Sequence, residues 1–408
     1  MIDTNTNPEE PEDPYCPGPL TIYQREAMAS DFEVAVNENP DVDADSFTAD
    51  AALTALDEVD RIEDILSVFR PHSQVSRINL LASEMNMRVD EELWDWIQTS
   101  LRLSHETEGA FDICCAPLWK AWGFAKRDGE FPAPDVLREA IEHSGERHLR
   151  LNPESRSVAF DEPGFSLNFG GIGKGFALDA AAKVLDDRGV GSYLIQGGKS
   201  GVVARGGRKN DYSPDVPRPD ELLRAAAADS ALDEEIDEES GLPKRRGGSS
   251  TRADAKAALD ALVPDFGGFE LPAPPADAPL GWTIGVSHPL RPDTRLGEIW
   301  LKDRALATSG STWQFFRSGG KRYSHIIDPR TGYPTCGVLS ATVLAPTATE
   351  ADALSTAFFV LGRDKTEDFC ARRTDVSALL VLERDAFPGY ELALFNLDEH
   401  IFRLTRGA

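Results

Sequence analysis

The stretch from Ser166 to Arg188, SLNFGGIGKGFALDAAAKVLDDR, sets four glycines (Gly170, Gly171, Gly173 and Gly175) between a short apolar segment and an alanine-rich one. That order predicts a buried strand, a tight turn and an amphipathic helix. Leu178, Val184 and Leu185 supply the helix's core face and Gly189 its stop. The glycines leave backbone open to a ligand, and the helix they open directs free N–H groups and its positive dipole end towards it, which suits an anion. A tight strand-to-helix connection with no ligand explains the same glycines. Known phosphate loops do not decide between the two. G-x-x-x-x-G-K followed by Ser or Thr fails, because Asn168 stands at the first glycine position and Gly175 at the hydroxyl position. GGKS at Gly197 to Ser200 fails at Tyr193, and G-x-G-x-x-G has no complete match.

A chain of 408 residues with 41% apolar composition can build a real core as two ordinary domains or as one large domain carrying an insertion. Its net charge of -27 repels phosphate over most of the surface, which argues against a nucleic-acid partner. An anionic cofactor would need a local basic or metal-bearing site. Five cysteines without C-x-x-C spacing indicate neither zinc nor a disulfide framework. No apolar run approaches the roughly 20 residues of a membrane span. The N-terminus, MIDTNTNPEEPEDPYCPGPL, lacks an export signal. The expected location is therefore cytoplasmic, or periplasmic or membrane-associated if the true start lies upstream.

Residues 1–19 read as a flexible acidic tail. Phe32, Val34 and Val36 alternate as in a half-buried strand, and Ser46 to Leu66 carries Leu53, Leu56, Val59, Ile62, Ile65 and Leu66 at helical spacing. Ser67 to Asn79 reads as a polar connection, Glu91 to Glu106 and Pro132 to Ser144 as helices, and Leu149 to Phe160 as a hairpin. From 209 to 278 the composition turns acidic and rich in Ala and Pro, which predicts a disordered insertion between residues 20–208 and 279–408 of one domain. Long insertions are cheap, at about 0.6 kcal/mol per doubling of length. The last third is strand-rich: Arg322 to Ile327 as one strand, Asp328 to Gly332 as a turn, Ser340 to Ala345 as a strand. Thr347 to Leu361 then forms a helix with a Thr347/Glu350 capping box and Gly362 as its stop.

Asp352 and Thr356 lie four apart on that last helix, placing a carboxylate and a hydroxyl on one face. Mg²⁺ favours such hard oxygens, although an Asp near a helix N-terminus also gains from the dipole with no metal present. His325, before a rigid turn, can exchange a proton near neutral pH. Lys174, at the head of the glycine-opened helix, can neutralise a phosphate or pair with a neighbouring acid.

Taken in order, these stretches resemble the bacterial flavin transferase family, the ApbE-like FAD:protein FMN transferases. The likeness rests on SVFRPHSQVSRIN, AFDICCAPLWKAWGF, SLNFGGIGKGFALD, ATSGSTWQFF, KRYSHIIDPRTGYP and TVLAPTATEADALSTAFFVLG, from about Ala27 to Gly362. It implies an α+β, mixed-sheet, T-fold-related domain that binds FAD with Mg²⁺ and moves FMN onto a Thr or Ser of a partner, releasing AMP. The implied partner is a flavoprotein bearing a D-x-x-S/T-x-A-T-like segment. The implied metal ligands are Asp352, Thr356 and a main-chain oxygen at Gly171. The implied FAD contacts are Met28, Phe69, Ala110, Phe111, Asp112, Asn168, Lys174 and Ile327, with His325 beside the phosphates as acid/base or phosphate ligand. Asn168 stands where the family usually has Asp, and Ala29-Ser30 where it has Gly-Thr. Two alternatives use the same site: an FAD pyrophosphatase giving FMN and AMP, and a flavin-binding protein without turnover.

Overall fold

The computed structural model describes residues 20–37, 42–124, 131–207, 235–236, 243–244, 281–310, 315–318, 321–384, 389–398 and 400–405. The tail expected at 1–19 and nearly all of the insertion expected at 209–278 lie outside the described residues.

An eight-stranded sheet organises the chain, in the order 20–27, 30–37, 193–197, 201–205, 304–310, 338–345, 377–383 and 390–395. Every neighbouring pair in it is antiparallel, so the mixed sheet expected within an α+β domain is an antiparallel one. Hairpins and helical excursions return the chain to the same sheet without parallel crossovers. Side chains alternate between its faces with period two. Val203, Ala305, Ala307, Val343, Ala345, Ala378 and Leu380 join the main core under the helices. Val202, Ala204, Leu306, Leu344, Leu379 and Val381 face a second core. That core is closed by a three-stranded sheet of Trp282–His288, Arg291–Leu301 and Phe402–Leu404. Burial on both faces explains why Val338–Ala345, VLSATVLA, is buried along its whole length, Ser340 and Thr342 included.

Three helices cover the main-core face: Val42–Leu66, Gly173–Asp187 and Ala348–Arg372. The first starts four residues earlier than expected, and its buried stripe runs through Ala52, Ala55, Leu56, Val59, Ile62 and Leu66. Leu53, assigned to that core from sequence, falls one position off the stripe and is exposed. Trp96, on the Glu91–Glu106 helix, stacks on Phe176 with ring centroids 5.0 Å apart.

Four further expectations are corrected. Ser166 to Phe169 forms no strand, because other groups satisfy its backbone. The Asn79 side chain accepts from Leu167 N–H at 2.8 Å and donates to the Leu167 carbonyl at 2.9 Å, and Asn168 N–H donates to the Ile113 carbonyl. Asn79 itself belongs to a helix, Gln74–Leu81, started by Ser73 accepting from Ser76 N–H, so Ser67 to Asn79 is only partly a connection. The strand expected over Arg322 to Ile327 breaks at His325 into Lys321–Ser324 and the short Ile327–Asp328 pairing. Gly362 does interrupt the last helix, with φ of 72°, yet the chain resumes helically to Arg372. Among the described residues no helix is long and apolar enough to cross a membrane.

Candidate active site

The glycine-opened helix and the last helix meet at their first turns. A Cβ on Gly175 would lie 2.5 Å from the Ala348 carbonyl oxygen and 2.7 Å from Thr349 Cα, so only glycine permits this approach. Gly173 is buried, but a Cβ there would meet Leu66 and Phe169 only at ordinary contact distances of 3.4 and 3.7 Å. Of the four glycines expected to leave backbone open, only Gly170 and Gly171 reach the surface; Gly173 and Gly175 are buried, and Gly175 serves the helix crossing.

Close contact brings the candidate metal ligands together. Gly175 N–H donates to Asp352 Oδ2 at 3.1 Å. A Cβ on Gly171 would lie 3.4 Å from Thr356 Oγ1 and 3.5 Å from Phe111 Cε2, so the exposed turn, the hydroxyl and the Phe111 ring share one corner. The Thr356 hydroxyl lies 3.4 Å from the Asp352 carbonyl and 3.2 Å from Ser309 Oγ, which also meets Ser355 Oγ at 2.9 Å. Asp352 is only 8% exposed. Burial pushes its carboxyl above the ordinary range, the positive charge of Lys174 and the Gly175 N–H pull it back, and nearby Asp179 raises it further. A buried carboxylate holding one neutral hydrogen bond among the described residues is stabilised by a cation. Among those residues no three His, Cys, Asp or Glu side chains gather to hold a metal. The donors at this corner are one carboxylate, a hydroxyl and main-chain oxygen, a hard set that fits Mg²⁺ with waters and phosphate completing its shell.

Of the remaining candidates, Phe111 and Asn168 adjoin the glycine turn at this corner. Ala110 and Phe111 are buried beside the glycine turn. Burial raises the Asp112 carboxyl, which accepts from Cys114 N–H at 2.7 Å and so closes its own turn. Asn168 N–H binds the neighbouring Ile113 carbonyl, and Asn168 Oδ1 accepts from Gly170 N–H at 2.8 Å. The amide thus supplies the oxygen that shapes the glycine turn without a carboxylate's charge. Gly109 packs beneath Arg330, and Trp122 Nε1 donates to the Gly332 carbonyl at 2.8 Å, so the 109–124 segment carries the 328–332 turn. Ile327 is buried with Trp122 and Phe124, and the His325 ring meets Phe124 edge-on at 6.4 Å. Met28 occupies a hairpin turn at φ of 51° and packs on the main core. Phe69 follows the first long helix with 75% of its surface exposed.

Sequence reasoning passed over Asp179, Ser309 and Ser355. Asp179 accepts from Ala348 N–H at 2.8 Å, Thr349 N–H at 2.9 Å and the Thr349 hydroxyl at 2.6 Å. Its place four residues beyond Gly175, on the same helix face, was the available signal. The capping box at Thr347 is only half formed: Thr347 Oγ1 takes Glu350 N–H, while the Glu350 carboxylate turns to Arg373.

The family model described as the ApbE family matches residues 28–232 and 266–380. A protein described as FAD:protein FMN transferase from Escherichia coli (strain K12) is 24% identical over 374 residues, 90% of this chain and 86% of that protein. One of the same description from Klebsiella pneumoniae (strain 342) is 26% identical over 391 residues, 94% of this chain and 89% of that protein. Two solved structures share the fold. The ApbE protein of Thermotoga maritima superposes with a TM-score of 0.67 at 24% identity, covering 92% of this chain and 97% of that one. The flavin transferase ApbE of Vibrio cholerae gives 0.66 at 22%, covering 93% and 98%.

Proposed function

The chain belongs to the ApbE family, and from that premise we propose that it transfers the FMN half of FAD to a Thr or Ser hydroxyl of a partner protein, with Mg²⁺, releasing AMP. The observation that carries this reading is the corner where Asp352 meets the Gly175 N–H and the charge of Lys174 while Thr356 meets the Gly170-Gly171 turn. Splitting a pyrophosphate requires negative charge to be met on both phosphates. Lys174 provides part of that, inside a protein of net charge -27, whereas the helix's Gly173, Gly175 and Phe176 N–H groups already bond the Phe169 carbonyl, Asp352 and the Ile172 carbonyl. Mg²⁺ held by Asp352, Thr356 and the Gly171 carbonyl would supply the rest as a Lewis acid.

In the transfer, the partner's hydroxyl oxygen forms a bond to the FMN phosphorus while the bond from that phosphorus to the bridging oxygen breaks. AMP leaves with the bridging oxygen, and the hydroxyl proton passes to a base. His325 is the proposed base or phosphate ligand, its ring oriented by Phe124. The nucleophile belongs to the partner, presented in a D-x-x-S/T-x-A-T-like segment. Phe69, exposed beside the first long helix, and Met28, Ala110, Phe111, Asp112, Asn168 and Ile327 are the proposed flavin and adenylate contacts.

The test is to incubate the chain with FAD and Mg²⁺, with and without an acceptor domain bearing that segment, and follow AMP and the acceptor's mass. The expected result is an acceptor mass gain equal to FMN and AMP release that depends on the acceptor. AMP with free FMN in the absence of acceptor would replace the transferase by a pyrophosphatase, and tightly held FAD without AMP by a binding protein.

A further inference from the structure

The two helices at the candidate site cap each other. Asp352, on the last helix, accepts from Gly175 N–H in the first turn of the glycine-opened helix. Asp179, on the glycine-opened helix, accepts from Ala348 and Thr349 in the first turn of the last helix, one carboxylate oxygen to each N–H, with the Thr349 hydroxyl as a third donor. Between the two bonds lies the backbone contact at Gly175. The last helix already has a local cap, Thr347, which takes Glu350 N–H. A second cap reaching across from another helix therefore does more than start a helix; it sets where the helix sits.

We propose that Asp179 is a positioning residue: by gripping Ala348 and Thr349 it holds the last helix in the register that sets Asp352 against Gly175 and Thr356 against Gly171. This rests on the assignment of Asp352 and Thr356 as metal ligands. Asp352 lies one turn beyond Ala348 and Thr356 one turn further, so a sliding or tilting of the helix start displaces both ligands together. Asp179 is half-buried at this contact. Burial raises its carboxyl, and the Thr349 hydroxyl and the two N–H groups oppose that rise, so the carboxylate is stabilised by the turn it grips. Partners that orient a ligand from behind typically change metal affinity by roughly 10- to 100-fold when removed.

The experiment measures Mn²⁺ binding to the full chain by electron paramagnetic resonance, without FAD, for the parent, Asp179→Ala, Thr349→Val and the control Thr347→Ala. Asp179→Ala is expected to weaken Mn²⁺ binding by about 10-fold or more, and Thr349→Val, which removes only the 2.6 Å hydroxyl donor, by a smaller factor in the same direction. Thr347→Ala is expected to lower the melting temperature while leaving Mn²⁺ affinity within about twofold, since its loss frays one end without releasing the grip of the neighbouring helix. Parent-like Mn²⁺ affinity in folded Asp179→Ala, or in Thr349→Val if the first variant does not fold, overturns the positioning role alone. A parent that takes up no Mn²⁺ overturns the metal assignment and this proposal with it.

Discussion

The two faces of the eight-stranded sheet are closed in opposite ways. On the site face, the helices approach through glycine and alanine (Gly173, Gly175, Ala348, Ala351), and backbone N–H groups of one helix reach carboxylates of the other. On the opposite face, the three-stranded sheet fills the gap with Trp282, Leu296, Ile299, Leu301 and Phe402. The first arrangement gives up side-chain volume to gain directional contacts at the helix starts, although Ser166 Oγ and, further along the last helix, Thr366 Oγ1 have no partner among the described residues. The second maximises apolar burial and tolerates an orphan: His288 is 1% exposed, its Nδ1 accepts from Leu290 and Arg291 N–H, and its Nε2 has no partner among the described residues. Chemistry can be built where polar groups are held by backbone; stability can be built where they are excluded.

This contrast can be broken from either side. The largest effect is expected from Asp352→Ala, which should reduce Mg²⁺-dependent AMP release on the order of 10³-fold while circular dichroism stays native-like; retained Mg²⁺-dependent turnover would remove the metal assignment. On the opposite face the sensitive variable is charge. Burial pulls the His288 imidazole down to about 4, with Arg291 adding to the shift. Its unfolded counterpart titrates near about 6.5. Protonation therefore favours the unfolded chain: the contribution to stability is complete above about pH 6.5, falls as the pH drops, and is lost by about pH 4, an effect on the order of 3 kcal/mol. Denaturant melts of His288→Asn against parent between those pH values should show a shallower pH slope, since Asn keeps an acceptor for the two N–H groups and does not titrate.

Gly175→Ala should cost about 1–3 kcal/mol, because the added carbon meets Ala348 backbone that can yield only by separating the helices. Its signature is a drop in activity larger than the drop in melting temperature implies; equal, small changes in both would show that the helices have room. The smallest effect is expected at the far edge of the sheet. Ala29 sits at φ of 54° in the hairpin turn, so Ala29→Gly should raise stability by about 1 kcal/mol, read as a shift of the denaturation midpoint.

Much of the local structure was legible because its causes are local. Alanine and leucine spacing marks the Gly173–Asp187 helix, Thr347 accepts from Glu350 N–H as its position implies, and Gly362 takes a positive φ that interrupts the last helix without ending it. The pairing of Asp352 and Thr356 on one face follows from helical periodicity alone. Errors appeared where a distant group supplied what a neighbour was expected to supply. Ser166 to Phe169 has the composition of a strand, but Asn79, from a helix 88 residues away along the chain, occupies the Leu167 backbone. Met28 and Ala29, neither a usual turn residue, make the turn because the pairing of 20–27 with 30–37 demands it.

The amino-acid sequence by itself determined which segments are helical or extended, which residues can offer oxygen to a metal or charge to a phosphate, and, through motif order, the family. Only the tertiary structure decided that Gly175 serves a helix crossing and Gly171 an open corner, and that Asp179 and Asp352 cap each other's helices. Propensity and periodicity act over a few residues, whereas those roles depend on contacts between groups 169 or more positions apart, which exist only once the sheet has brought both helices onto one face.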